Sequence, residues 1–185
     1  MHGSVNIRRA EPRDAAAIAR FHVASWRAAY RDLAPPEVLA ELTEDRRLAQ
    51  WQHLLSPQVT GQLFLVCEID GTLAGVGGAG PTAHPAYGGR GQISLLYIAP
   101  EHQRSGLGRR LMHDLALWLE SAGHRGVALG VVDGNVPAMR FYETLGGQSV
   151  GAYEDEGPAW RSHNLVYAWD DLATLLAATA GPERR

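Results

Sequence analysis

The sequence predicts a mixed α/β (α+β) fold in a single domain, residues 1–185. Three observations point to it. Short apolar runs bounded by turn signals recur along the chain. Between them lie stretches whose apolar residues step by three and four. The two kinds of element mix without strict alternation. A chain of 185 residues with 45% hydrophobic and 20% charged residues suits one core of ordinary composition.

Val5-Asn6-Ile7-Arg8 alternates and reads as a first strand. Pro12 and Asp14 open a helix on which Ile18, Phe21, His22, Ser25, Trp26, Ala29 and Tyr30 share one face. Pro35-Pro36 closes this region, and a second helix over 44–55 keeps Leu48, Trp51 and Leu55 in register. Residues 62–70 and 72–78 read as a hairpin turning at Asp70-Gly71. The Gly-, Pro-, Ala- and His-rich segment 77–91 reads as a mobile loop leading to a strand at 92–98. A helix from Gly106 buries Leu107, Leu111, Leu115 and Trp118 or Leu119 and stops at Ser121-Ala122-Gly123. Residues 127–132 form a short strand expected to be buried on both faces. A turn at Asp133-Gly134-Asn135 leads into a helix at 136–145. Strands at 148–154 and 161–169 are joined by the acidic loop Asp155-Glu156-Gly157-Pro158, and a last helix covers 170–179 before a frayed tail.

The chain is organised around Leu95-Leu96-Tyr97-Ile98-Ala99-Pro100-Glu101-His102-Gln103-Arg104-Ser105-Gly106-Leu107-Gly108-Arg109-Arg110-Leu111. A strand breaks at Pro100, a polar turn holds two glycines, and a helix begins. Such a helix start exposes backbone N–H groups and about half a positive charge, a place to hold phosphate. Gln103-Arg104-Ser105-Gly106-Leu107-Gly108 lacks both the Lys-Ser/Thr of a nucleotide P-loop and the three-glycine dinucleotide fingerprint with its acidic ribose ligand. A second motif follows the next strand: Asn135-Val136-Pro137-Ala138-Met139-Arg140-Phe141-Tyr142-Glu143-Thr144-Leu145-Gly146. On a helix, Ala138, Tyr142 and Leu145 share a face. Asn135 sits at the helix start, where it caps the helix or bonds a ligand amide. Tyr142 is either a packed aromatic or a phenol aimed at a ligand.

In this order the two motifs resemble those of the GNAT family (Gcn5-related N-acetyltransferases), and the resemblance runs from Val5 to Trp169. One departure is Gly147, where the family usually has Phe. The resemblance implies a mostly antiparallel central sheet of about seven strands flanked by helices, with the fourth and fifth strands splayed apart. It also implies transfer of an acetyl group from acetyl-CoA to a primary amine by direct attack, with no covalent enzyme intermediate.

On that reading the residues take roles. The backbone around Gln103, Arg104, Ser105, Gly106, Leu107, Gly108 and Arg109 cradles the coenzyme's pyrophosphate, with Arg104, Arg109 and Arg110 as charge partners or plain surface. The strand edge at Leu96, Tyr97 and Ile98 pairs with the pantetheine amides. Asn135 and Ala138 line the arm. Tyr142 donates a proton to the leaving sulfur. The amine's proton acceptor is not singled out among Glu68, His84, His102 and Glu154. The resemblance also implies an acceptor site walled by His22, Trp26, Tyr30, Asp32 and the loop 82–89; Trp26 and Tyr30 either serve there or pack their helix on the sheet, and aromatics beside Asp32 and the acidic loop suit a cationic amine.

Other readings are narrowed by composition. A net charge of −3 argues against nucleic acid as the main partner. No apolar run is long enough for a membrane span, and the polar N-terminus does not read as a signal peptide. The one cysteine, Cys67, precludes an intramolecular disulfide framework and fits a reducing, cytoplasmic setting. The eight histidines lack metal-ligand spacing, so no metal is expected. Two late strands and a C-terminal amphipathic helix with Leu172, Leu175 and Leu176 form a homodimer contact or cap the monomer's own core. Two alternatives stay open: a protein N-terminus or lysine as acceptor, and a non-catalytic acyl-CoA-binding module on the same fold.

Overall fold

A computed structural model describes residues 4–82, 84–157 and 160–181. Pro158 of the acidic loop, Ala83 of the 77–91 segment and the last four residues of the tail lie outside the described residues. Seven strands form one sheet in the order β1-β2-β3-β4-β5-β7-β6. They are β1 Val5–Arg9, β2 Leu63–Ile69, β3 Thr72–Gly80, β4 Gly91–Ile98, β5 Val127–Val132, β6 Gln148–Asp155 and β7 Ser162–Trp169. All neighbours are antiparallel except β4 and β5. The helices are α1 Ala15–Tyr30, α2 Pro36–Glu41, α3 Glu44–Leu54, α4 Leu107–Ser121, α5 Val136–Thr144 and α6 Leu172–Thr179.

Alternation along β2 divides the core. Leu63, Leu65 and Cys67 join Leu107, Leu111, Leu115 and Leu119 of α4, Leu145 after α5, and Leu172 and Leu175 of α6. Phe64 and Val66 face the other way, against Ile18 of α1 and Trp51 of α3. Helices thus cover both faces of the sheet.

Several local expectations change. Pro36 does not merely end a segment: at the first helical position it starts α2, where its fixed φ is already suitable. The glycine-rich stretch read as a loop is strand as far as Gly80, because α4 packs against β3 too closely for side chains there. A Cβ on Gly77 would lie 2.9 Å from Leu115 Cδ1, and one on Gly75 would lie 2.7 Å from Ile98 Cδ1. Beyond it, a 3-10 turn at Pro85–Tyr87 buries Tyr87 rather than leaving the segment loose. Ala29 is exposed, and Gly130 of β5 is exposed on one face. Leu172 and Leu175 are buried and Leu176 packs on the same core, so the α6 leucines cap this chain's own core. At Gly147 a Cβ would meet the Trp169 indole at 2.7 Å, so Trp169 occupies the room that a residue larger than glycine would need.

β4 and β5 pair only at Gly91↔Val127 and Gln92↔Ala128. Ser94 is an extra residue in β4 opposite Gly78 and Ala79, a bulge that bends the strand where it leaves its neighbour. From residue 93 onward the edge of β4 facing β5 has no ladder, and the two strands enclose a wedge-shaped opening.

Candidate active site

At the wide end of the opening, β4 ends in a 3-10 turn at Pro100–His102 and the chain enters α4 through Gln103, Arg104, Ser105 and Gly106. Arg104 and Gly106 both have positive φ, +59° and +88°. The turn therefore reverses tightly, and Gly106 takes its conformation without a Cβ penalty. Gly106 has no side chain with which to cap α4, whereas Thr43, Asn135 and Asp171 cap α3, α5 and α6. Arg110 is the first residue of α4 whose N–H finds a carbonyl, that of Gly106 at 3.1 Å. The N–H groups of Leu107, Gly108 and Arg109 precede it at the positive end of the helix. A Cβ on Gly108 would press on Phe141 at 3.3 Å, so α4 and α5 approach closely here.

The cations expected at this turn do not behave alike. Arg104 is exposed. The Arg109 guanidinium turns away and donates through Nε (2.9 Å) and Nη2 to the carbonyl of Ala178 at the end of α6. Beside it, the Thr179 hydroxyl donates to the Leu175 carbonyl, so His113 Nδ1–H is the donor to that hydroxyl at 3.0 Å. Arg109 therefore holds α6 onto α4 with its side chain and offers only its backbone to the turn.

α5 is fixed on the opposite wall. The Asn135 side-chain oxygen accepts from Ala138 N–H at 3.4 Å, so it caps the helix. Tyr167 Oη donates to Glu143 at 2.8 Å and Trp169 Nε1 donates to the Leu145 carbonyl at 2.8 Å. These two anchors from β7 flank Tyr142, whose ring lies 6.2 Å from both Tyr167 and Trp169. Tyr142 is 8% exposed. Burial pushes its phenol well above the ordinary tyrosine range, and the nearby Tyr30 phenol pushes further.

Tyr30 belongs to α1, on the other face of the sheet. It meets Tyr142 because β4 and β5 have parted. Tyr97 joins them: burial raises its phenol, and Tyr30 and Tyr142 add to the rise. Three phenols, one each from α1, β4 and α5, thus converge on the opening. Leu96 and Ile98 point the other way, onto the core beneath α4.

The side of the opening next to the end of α1 is aromatic. The Trp26 and Tyr30 rings lie 4.7 Å apart, tilted by 45°, and Trp160 from the β6–β7 loop meets them edge-on at 6.3 and 6.1 Å. Next to them, Tyr87 Oη and Tyr153 Oη share a hydrogen bond of 3.1 Å, and His84 lies 4.4 Å from the Tyr153 ring. Tyr153 and Trp160 were not singled out from the sequence, and Tyr87 only as part of the 82–89 loop. Their only signal was aromatic residues in otherwise polar or glycine-rich stretches.

The base candidates disperse. Glu68 binds Arg8 at 2.7 Å, beside Asp14, at the far edge of the sheet. His84 Nδ1 accepts from Ala86 N–H. Glu154 contacts His163 at 2.7 Å and Arg161 at 3.4 Å, and Glu156 contacts Arg161 at 3.3 Å. Glu154 and Glu156 thus share Arg161, while Asp155 accepts from Gly157 N–H at 2.9 Å. His22 is buried, accepts Trp51 Nε1–H at 3.1 Å and lies 5.1 Å from the Tyr97 ring. Burial, helped by the Arg47 cation, pushes it down to about 3, so it is neutral at physiological pH. Cys67 is fully buried, and burial pushes its thiol up. Among the described residues no three His, Cys, Asp or Glu side chains gather as a metal site would require, and no helix is long and apolar enough to cross a membrane.

Comparison with known proteins agrees with this architecture. An N-acetyltransferase of Bacillus subtilis (strain 168), YuaI, described as uncharacterized, is 28% identical over 92% of this chain and 96% of its own length. The phosphinothricin N-acetyltransferase of Streptomyces viridochromogenes is 32% identical over 62% of this chain and 63% of its own. Among solved structures, the PaiA N-acetyltransferase of Thermoplasma acidophilum, in complex with coenzyme A, superposes with a TM-score of 0.69 at 19% identity. It covers 89% of this chain and 98% of its own. YncA of Salmonella typhimurium, a putative acetyltransferase with its cofactor acetyl-CoA, gives 0.66 at 24% identity, covering 91% and 94%. Residues 23–146, which include both sequence motifs, match the acetyltransferase (GNAT) family, and the chain belongs to that family.

Proposed function

We propose that this acetyltransferase moves the acetyl group of acetyl-CoA onto a primary amine of a small molecule. One observation carries the reading: the opening between β4 and β5 joins an uncapped helix start to a buried, protonated phenol. The same fold carries coenzyme A in the Thermoplasma protein and acetyl-CoA in YncA. Acetyl-CoA, when bound, supplies an activated acetyl thioester.

The chain's own residues do the rest. The N–H groups of Gly106, Leu107, Gly108 and Arg109 take the pyrophosphate, with the backbone of Gln103 and Ser105 and the exposed Arg104 beside them. The free edge of β4 at Leu96, Tyr97 and Ile98 takes the pantetheine amides as an added strand would. A backbone N–H at Tyr97 or Ile98 faces the position where negative charge develops. Asn135 and Ala138 line the arm from α5. Tyr142, kept protonated by burial, donates to the departing sulfur. Trp26 and Tyr30 wall the acceptor. His22, the imidazole against Tyr97, already accepts from Trp51 and is held down at about 3, so water takes the amine's proton. Cys67, buried in the core, takes no part and fits a cytoplasmic setting.

The test is coenzyme A release from acetyl-CoA against pooled amines, polyamines, amino acids and peptides, with calorimetry for acetyl-CoA itself. Binding without release for any acceptor would leave an acyl-CoA-binding module; release with peptides alone would make the acceptor a protein.

A further inference from the structure

Arg47 is a cation without a matching anion. It lies on the face of α3 that carries Trp51 one turn later, and Trp51 bonds His22, which lies against Tyr97. Its Nε is buried with no hydrogen-bond partner, and its Nη1 donates only to Gln50 at 2.6 Å. Among the described residues no carboxylate comes within ion-pair distance of it, whereas Arg8, Arg13, Arg46, Arg90 and Arg161 each have one. The charge is felt by the site: it contributes to the low pKa of His22 and opposes the rise at Tyr97. A guanidinium whose Nε is shut away from water without a partner is costly unless something negative comes to it. Meanwhile Glu154 and Glu156 lie against Arg161, which weakens the pull of this corner on a purely cationic acceptor.

We infer that Arg47 receives a carboxylate of the acceptor, so that the amine acetylated here belongs to an amino acid or a similar amino-carboxylate. The inference rests on the acetyltransfer reading and narrows its substrate class.

The experiment compares the L-α-amino acids with their α-carboxamides, which keep the amine and side chain and lose the charge. Calorimetry on the coenzyme A-loaded protein reads binding whether or not transfer occurs, and coenzyme A release from acetyl-CoA reads transfer. The expected result is at least about tenfold tighter binding and higher kcat/KM for an acid than for its amide. In Arg47→Gln the ratio collapses toward one, and in Arg47→Lys most of it is kept. Thermal unfolding and acetyl-CoA affinity of each variant show that the fold and cofactor site persist. Equal treatment of acid and amide by the wild type, an undiminished ratio in Arg47→Gln, or no amino acid binding at all would overturn the inference. Preferential acid binding with no release would uphold it while refuting transfer.

Discussion

Trp51 Nε1 donates to His22 Nδ1 at 3.1 Å across the α1–α3 contact, with both rings buried and the imidazole against Tyr97. The bond needs an imidazole unprotonated at Nδ1, and burial provides one by holding His22 at about 3. Unfolded, the same group titrates near its ordinary ~6.5. As pH falls below that value the unfolded chain takes up a proton that the native state refuses. The contribution of His22 is therefore complete above pH ~6.5 and is lost as pH falls toward 3, by ~1.4 kcal/mol per unit. Urea midpoints between pH 7 and 4 should show this slope. His22→Gln, which still accepts from Trp51, should flatten it; an identical slope in the variant would assign the acid sensitivity elsewhere.

Tyr142→Phe should lower kcat by about a hundredfold while leaving acetyl-CoA affinity nearly unchanged. Because burial raises this phenol, the wild-type rate should show no loss from its ionisation up to pH about 10. A full-rate Phe variant would reduce Tyr142 to packing between Tyr167 and Trp169.

Arg104 and Arg109 should separate cleanly. Arg109→Ala removes the bonds to the Ala178 carbonyl and should cost about 1 kcal/mol of stability, with a small effect on acetyl-CoA binding. Arg104→Ala should leave the melting temperature in place and weaken acetyl-CoA binding several-fold, more at low salt. Reversed results would mean that the Arg109 side chain leaves α6 when the coenzyme arrives.

Gly130 underlies the Tyr87–Tyr153 pair. A Cβ there would overlap Tyr153 Oη and sit 3.0 Å from Tyr87 Oη. Gly130→Ala should destabilise by about 1–3 kcal/mol and raise the acceptor KM. Adding Tyr153→Phe vacates the overlapping position, so the double variant should regain stability over Gly130→Ala alone. Additive losses would show that the strain lies elsewhere.

The strands, the long helices and the glycine turn before α4 were legible because each is a local pattern: alternation, steps of three and four, or glycines at a helix entry. The splay was expected only from family resemblance, since nothing local marks Ser94 as a bulge. Segment 77–91 was misread because glycine signals both a turn and a strand against which a helix packs closely. The side chains of Leu115 and Phe64, which decide between these, come from distant elements. Arg109 looked like a phosphate ligand because its partner, Ala178, is 69 positions away. Trp160 and Arg47 escaped notice because their significance is in what surrounds them, or fails to, once α1, α3 and the β6–β7 loop are brought together.

The narrow junction of β4 and β5 bears on cohesion as well as chemistry. Two residue pairs join a half-sheet of four strands to one of three. A coenzyme arm laid along the open edge would brace the halves against each other like a strut. Amide hydrogen exchange at 93–98 and at the start of α4 should slow together on acetyl-CoA addition, and thermal unfolding should sharpen as the halves begin to melt as one.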